Sequence, residues 1–216
     1  FKKQYGWDTE LKLGDRIFMF CDARNYNLDQ IDQKEYPYFF WCDTDDTVQG
    51  AENFQLLVDK MVKTGVKSVF FNYHYWCEFD GHGRVTNVKI EHLRERLVSN
   101  YGSHRWVGPL HETLIAQRQA ALADDPACLV IHHSGEERMR AAIKRNQSVL
   151  EWCMTKPKYR DDARYIISLA KVYYDLGIHD RAEPMLYGYI GKSGWREERS
   201  QAWNYLSHIY LARKEY

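Results

Sequence analysis

Apolar and polar residues follow two different rhythms along the chain. Up to about residue 133, short apolar runs alternate with amphipathic stretches. Residues 17–21 predict a short strand, and residues 25–33 a helix that Tyr36-Pro37 stops, because the residue before a proline avoids the helical region. Residues 38–42 are apolar and aromatic throughout, the pattern of a strand covered on both faces. In residues 51–64 the apolar positions Phe54, Leu57, Val58, Met61 and Val62 fall on one side of a helix that ends at Gly65. Residues 67–78 and 84–90 predict two strands around the turn Asp80-Gly81-His82-Gly83, and residues 128–131 a last strand. Strands alternating with helices predict an α/β layer structure for residues 1–133.

Residues 134–216 follow a helical period. Ser134 and Glu137 have capping-box spacing, and Met139, Ile143, Leu150 and Met154 mark one face of a helix that Lys156-Pro157 ends. Ile166, Leu169, Ala170 and Tyr173 then recur as Trp203, Leu206, Ser207 and Tyr210, each 37 residues on. Gly177 closes the first helix, Asp180 and Glu183 are placed to cap the next, Pro184 fits its first turn, and Ala182 and Leu186 face back. The pattern resembles a tetratricopeptide pair, whose usual period of about 34 residues leaves three extra residues for the turn at 192–198. The resemblance implies helices that support, dimerise or bind a protein partner rather than perform chemistry.

Charge narrows the function classes. The 30 Lys and Arg balance the 30 Asp and Glu among 216 residues, so there is no cationic excess to bind phosphate chains, and nucleic acid is not an expected partner. The longest apolar runs are far shorter than the roughly 20 residues a transmembrane helix needs. Five scattered cysteines without a CxxC pair fit free thiols in a reducing compartment, so a cytoplasmic location is expected. Phe1 is not a start methionine and Tyr216 falls inside a helical pattern, so the chain reads as a fragment of a longer protein.

The chemistry is concentrated where the apolar strand 38–42 runs into Asp43-Thr44-Asp45-Asp46. Clustered carboxylates repel, and a cation relieves them. The end of a strand in an open α/β sheet is where ligands sit. A hard divalent ion held by one or two carboxylates, with phosphate oxygens completing its shell, satisfies this arrangement.

Further segments accompany it in order: Ala23-Arg24-Asn25 before the acidic strand, Trp106-Val107-Gly108-Pro109-Leu110-His111-Glu112 after it, then His132-His133 and Lys144-Arg145-Asn146. The ordered set resembles the family 2 glycosyltransferases, in a subgroup whose catalytic domain precedes tetratricopeptide repeats. The resemblance spans nearly the whole chain. It implies the C-terminal part of a GT-A (Rossmann-like) mixed sheet in residues 1–133, followed by a helical repeat in 134–216, with the nucleotide-binding units expected before Phe1. It implies metal-assisted, inverting transfer from a nucleoside-diphosphate sugar to a glycan, lipid, small molecule or protein. Mn²⁺ or Mg²⁺ is the implied cofactor.

The resemblance suggests roles for named residues. Asp45 is the first metal ligand, and Asp43 touches the sugar, the ribose or the ion. Asp46 is a loop-capping acid. His132 or His133 completes the coordination, but strand alternation lets at most one face the metal. His111 ligates the metal or orients Glu112. Glu112 is the general base, with an ion pair to Arg94 or Arg96 as its structural alternative. Arg24 reaches the diphosphate or holds the acids, Asn25 lies near the nucleotide at a helix start, and Trp106 offers a wall for a sugar ring.

Two other classes compete. Asp43-Thr44-Asp45-Asp46-Thr47 also fits the D-x-D-x-T motif of haloacid-dehalogenase-type phosphatases. That reading needs a later strand ending in paired acids, whereas Asp124-Asp125 follows an alanine run and Asp161-Asp162 opens a helix. The other is a non-catalytic helical-repeat interaction protein.

Overall fold

A computed structural model describes residues 17–100, 104–115, 120–122, 128–133 and 136–214. The chain divides into two units, one holding Phe20–Arg138 and the other Met139–Tyr216.

The first unit is α/β. Its elements are α1 (Phe20–Asp29), β1 (Tyr38–Phe40), β2 (Asp46–Gln49), α2 (Phe54–Thr64), β3 (Ser68–Phe79), β4 (Val85–Ser99), β5 (Arg105–Val107), β6 (Thr113–Ile115), β7 (Ala120–Leu122) and β8 (Leu129–His132). One mixed sheet has the order β1-β4-β3-β8-β2, with β7 also on β3. β8 and β7 run parallel to β3, and the other pairs are antiparallel. β5 and β6 form a separate pair that sets Trp106 opposite Leu114.

The apolar side of α2 is what places the sheet. Leu57 and Met61 are buried against Val69, Phe71, Tyr73, Leu97, Cys128 and Val130. Phe54 packs tilted against Phe40 and edge-on to Phe71, with ring centroids at 4.7 and 5.7 Å. Each fully buried side chain of this size contributes about 1.5–3 kcal/mol. Gly65 ends α2 in the left-handed region (φ 74°), donating its N–H to Met61 O at 2.9 Å, as its place in the sequence predicts. In the β3–β4 turn Asp80 Oδ1 accepts from the N–H groups of His82 and Arg84 at 2.8 and 2.9 Å.

Three elements differ from expectation. Residues 17–19 are neither strand nor helix, and Phe20 already opens α1, which buries Cys21 and Leu28, seven residues apart on one face. A short apolar run reads as either element when its periodicity is this brief. The apolar strand stops at Phe40, and after the acidic turn the chain enters β2, which lies at the opposite edge of the sheet from β1 and pairs with β8 in the register Asp46 to His132. β4 runs on to Ser99 through a charged stretch that hides its strand character.

The second unit is helical: α3 (Glu136–Thr155), α4 (Pro157–Arg160), α5 (Ala163–Asp175), α6 (His179–Lys192) and α7 (Arg196–Arg213). Pro157 opens α4, and Asp162 caps α5 by accepting from Arg164 N at 2.9 Å. Leu169, Ala170, Tyr173, Ala182, Leu186 and Leu206 are all buried. The capping expected of Asp180 and Glu183 does not form. Ile178 is the N-cap residue of α6, and both acids instead accept from Arg213 at 2.6 Å. Trp203 is 49% exposed although its counterpart Ile166 is buried, so the repeat holds for Leu206 but not for its whole face. Only residues 193–195 separate α6 from α7. Ser134, Asp124, Asp125 and the side chains of Glu137 and Met139 lie outside the described residues. Among the described residues no helix is long and apolar enough to cross a membrane.

Candidate active site

The acidic turn is closed by its own last residue. Asp46 N donates to Asp43 O at 3.0 Å, and Asp43 N donates to the Asp46 carboxylate at 2.9 Å. That carboxylate is a hub. Its Oδ1 accepts from the Tyr73 hydroxyl and pairs with His132 Nδ1, both at 3.1 Å, and its Oδ2 lies 3.2 Å from Arg96 Nη2. The side chains of Asp46 and Arg96 are both fully buried. The Arg96 guanidinium is sandwiched between the rings of Trp41 and Tyr73, 4.0 and 4.3 Å from their centroids. Such faces attract a cation and replace part of its lost hydration.

The pKa directions follow from this packing. Burial works against ionisation of Asp46, but the His132 bond, the Asp43 N–H and Arg96 outweigh it and hold the acid below the usual carboxylate range. His132 is raised, first by its bond to Asp46, against burial and with help from Asp45 and Asp43. Burial and the Asp46 charge push the Tyr73 phenol up, so it stays protonated and donates.

Asp45, Asp46 and His132 each offer a ligand atom within 4.8 Å of the others, a set that can hold a cation. Asp46 is engaged by four partners, and Asp45 Oδ1 lies 3.6 Å from the same His132 Nδ1 that Asp46 holds. Both carboxylates face His132 Nδ1, and the Asp46 contact fixes the ring orientation, as carboxylate partners do for ligating histidines. Tyr75 lies at a bulge in β3 between the His74 and Trp76 pairings, and its ring stacks on His132 at 5.5 Å and 2°. Bulges re-aim side chains in this way beside functional sites.

The remaining expected ligands are placed elsewhere. His133 faces away from His132, as alternation requires. Its ring bonds Thr47 Oγ1 at 2.9 Å and stacks on Phe79. His111 is exposed at a positive φ of 51° in the turn between β5 and β6. Neither belongs to the Asp45, Asp46, His132 group. Asp43 is held by Arg24, whose Nη2 lies 2.5 Å from its Oδ1.

Arg24 also donates through Nε to Glu112 Oε1 at 2.6 Å. One guanidinium on α1 therefore bridges the acidic turn and Glu112, which is 9% exposed. The arginine pairing that stood as the structural alternative for Glu112 is present, with Arg24 rather than Arg94 or Arg96. Asn25 lies inside α1 rather than at its start, and its amide is committed to the backbone of Trp106. It donates to Trp106 O and accepts from Trp106 N, both at 2.9 Å. This pair of hydrogen bonds fixes the segment that carries Glu112. Trp106 is 3% exposed and packs edge-on to Trp41 at 4.5 Å, with Arg24 over its ring at 5.0 Å, so it carries the guanidinium and offers no open wall to a sugar.

Arg96 and Tyr73 were not among the expected site residues. The sequence signal for Arg96 is a charged residue at alternating positions of β4, which reads equally as a solvated edge. Asp161 and Asp162 open α5 in the helical unit and do not follow a strand. Arg145 lies on α3 and bonds Asn146 Oδ1 at 3.0 Å. No family model and no curated protein matches this chain.

Proposed function

We propose that the chain carries the catalytic side of a metal-assisted glycosyltransferase, its sheet part of a GT-A type domain. The reaction moves a sugar from a nucleoside-diphosphate donor to an acceptor with inversion. The supporting observation is the convergence on one turn of two sets: Asp45 with Asp46 and His132, and Asp43 with Arg24 and Glu112. The motifs that resemble the family supply these residues, and Arg24 and Glu112, bonded to each other, are 88 positions apart.

Asp45 and His132 would hold the cation, with Asp46 fixing the imidazole, and a mixed nitrogen and oxygen set suits Mn²⁺ while Mg²⁺ prefers oxygens. When bound, such an ion stabilises negative charge on a departing diphosphate. Glu112 accepts the proton of the acceptor hydroxyl as its oxygen bonds the anomeric carbon and the bond to the diphosphate breaks. Asn25 keeps the Trp106–Glu112 segment in place, and Arg24 sets the distance between the base and the acidic turn.

The test is release of nucleoside diphosphate from UDP- and GDP-sugars with Mn²⁺ or Mg²⁺ by the full-length protein, including the nucleotide-binding units expected before Phe1. Glu112→Gln is expected to lower turnover by about 10²–10⁴ without weakening donor binding. Wild-type turnover in that variant would remove Glu112 from the mechanism.

A further inference from the structure

We propose that Arg24 is stored between Asp43 and Glu112, and that the donor's diphosphate draws it away and thereby releases Glu112 to act. This rests on the reading of Glu112 as the base.

The geometry is that of a cation shared by two carboxylates. Nε serves Glu112 at 2.6 Å and Nη2 serves Asp43 at 2.5 Å, two of the five N–H groups that a guanidinium carries. Phosphate oxygens present the same acceptor chemistry and match the guanidinium fork. A diphosphate concentrates more negative charge than either carboxylate, so it competes for the same group. Arg24 also lies over Trp41 and Trp106, 4.9 and 5.0 Å from the ring centroids. Attraction to a ring face tolerates lateral displacement, so the guanidinium can exchange partners while keeping that contact. The backbone need not follow, because the neighbouring Asn25 is tied to Trp106 by two bonds.

The consequence is an order of events. While Arg24 holds Glu112, the ion pair fixes the carboxylate against the guanidinium and leaves an acceptor only the lone pairs that Nε does not use. Once a diphosphate has claimed Arg24, the whole carboxylate is open to the acceptor. Activation of an acceptor, or of water, then follows donor binding.

The test is calorimetric titration of inorganic pyrophosphate, in Mg²⁺ buffer, into the full chain and its variants. Glu112→Gln weakens the grip on Arg24. It is expected to tighten pyrophosphate about fivefold, the factor regained when a competent arrangement had been about one-fifth populated. In an Arg24→Gln background the same change should give no gain, since the guanidinium that exchanges is gone. Arg24→Lys is the replacement background if Arg24→Gln does not fold, and there the gain should shrink. An equal gain in both backgrounds would mean a simple loss of repulsion and would overturn the exchange while leaving the transferase reading standing. No gain in either background would overturn it as well. No pyrophosphate binding by the unaltered protein would overturn both.

Discussion

The same residue type does opposite work in the two units. Arg96 in the sheet is wholly buried, flanked by two aromatic rings and paired with an equally buried Asp46. Arg213 in the helical unit also meets two acids, Asp180 and Glu183 at 2.6 Å, but Asp180 is almost entirely exposed. In the helical unit the apolar positions decide the structure, and the charges dress its surface. In the sheet a charged group lies inside the packing and sets the shape of a turn. Such a pair is costly to desolvate and is weak evidence for stability by itself, and the turn it holds is the one that carries Asp43 and Asp45.

The sharpest way to break this contrast is Arg96→Ala. It leaves the Asp46 carboxylate buried without its cation and is expected to destabilise the protein by about 3–5 kcal/mol in urea unfolding. A loss no larger than that of a surface pair would place Arg96 outside the core logic. Tyr73→Phe removes one donor from the same carboxylate and should cost about 1 kcal/mol by the same measurement. Arg213→Ala, with Asp180 open to water and Glu183 partly buried, should cost about 1 kcal/mol.

The smallest expected effect is a pH dependence. His132 is raised in the folded state, so its contribution is complete below its unfolded value of about 6.5 and is lost as the pH rises through the folded value. The unfolding midpoint should therefore fall over that rise in wild type. His132→Gln should flatten this part of the curve, and an unchanged slope would assign the effect to another group. Asp46 contributes in the opposite window. It is lowered in the folded state, so its stabilisation is present above its unfolded value and lost as the pH falls through the folded one.

How far the sequence could be read differs along the chain for physical reasons. α2 with its Gly65 terminus, the Asp80–Gly83 turn and the buried face of α5 all announce themselves within a dozen residues. β2 does not. Its residues Asp46-Thr47-Val48-Gln49 are mostly polar, and they are a strand because β8 lies beside them, 86 positions away at Asp46 and His132. The site shows the same division. Asp45 and one of the tandem histidines, both singled out in the sequence, lie together in one group of potential ligands, and strand alternation separates His132 from His133. The pairings of Asn25 and Arg96 were not legible, because their partners Trp106 and Asp46 come from distant segments, and no local pattern records that an amide or a guanidinium will turn inward.

The central claim is that the acidic turn and His132 bind a divalent cation in the service of sugar transfer. Its most direct test is a Mn²⁺ titration followed by electron paramagnetic resonance on the protein and on the Asp45→Ala, His132→Ala double variant. Binding of Mn²⁺ by the protein, and its loss in the variant with folding retained, is the predicted result. Equal Mn²⁺ affinity in the two proteins would contradict it.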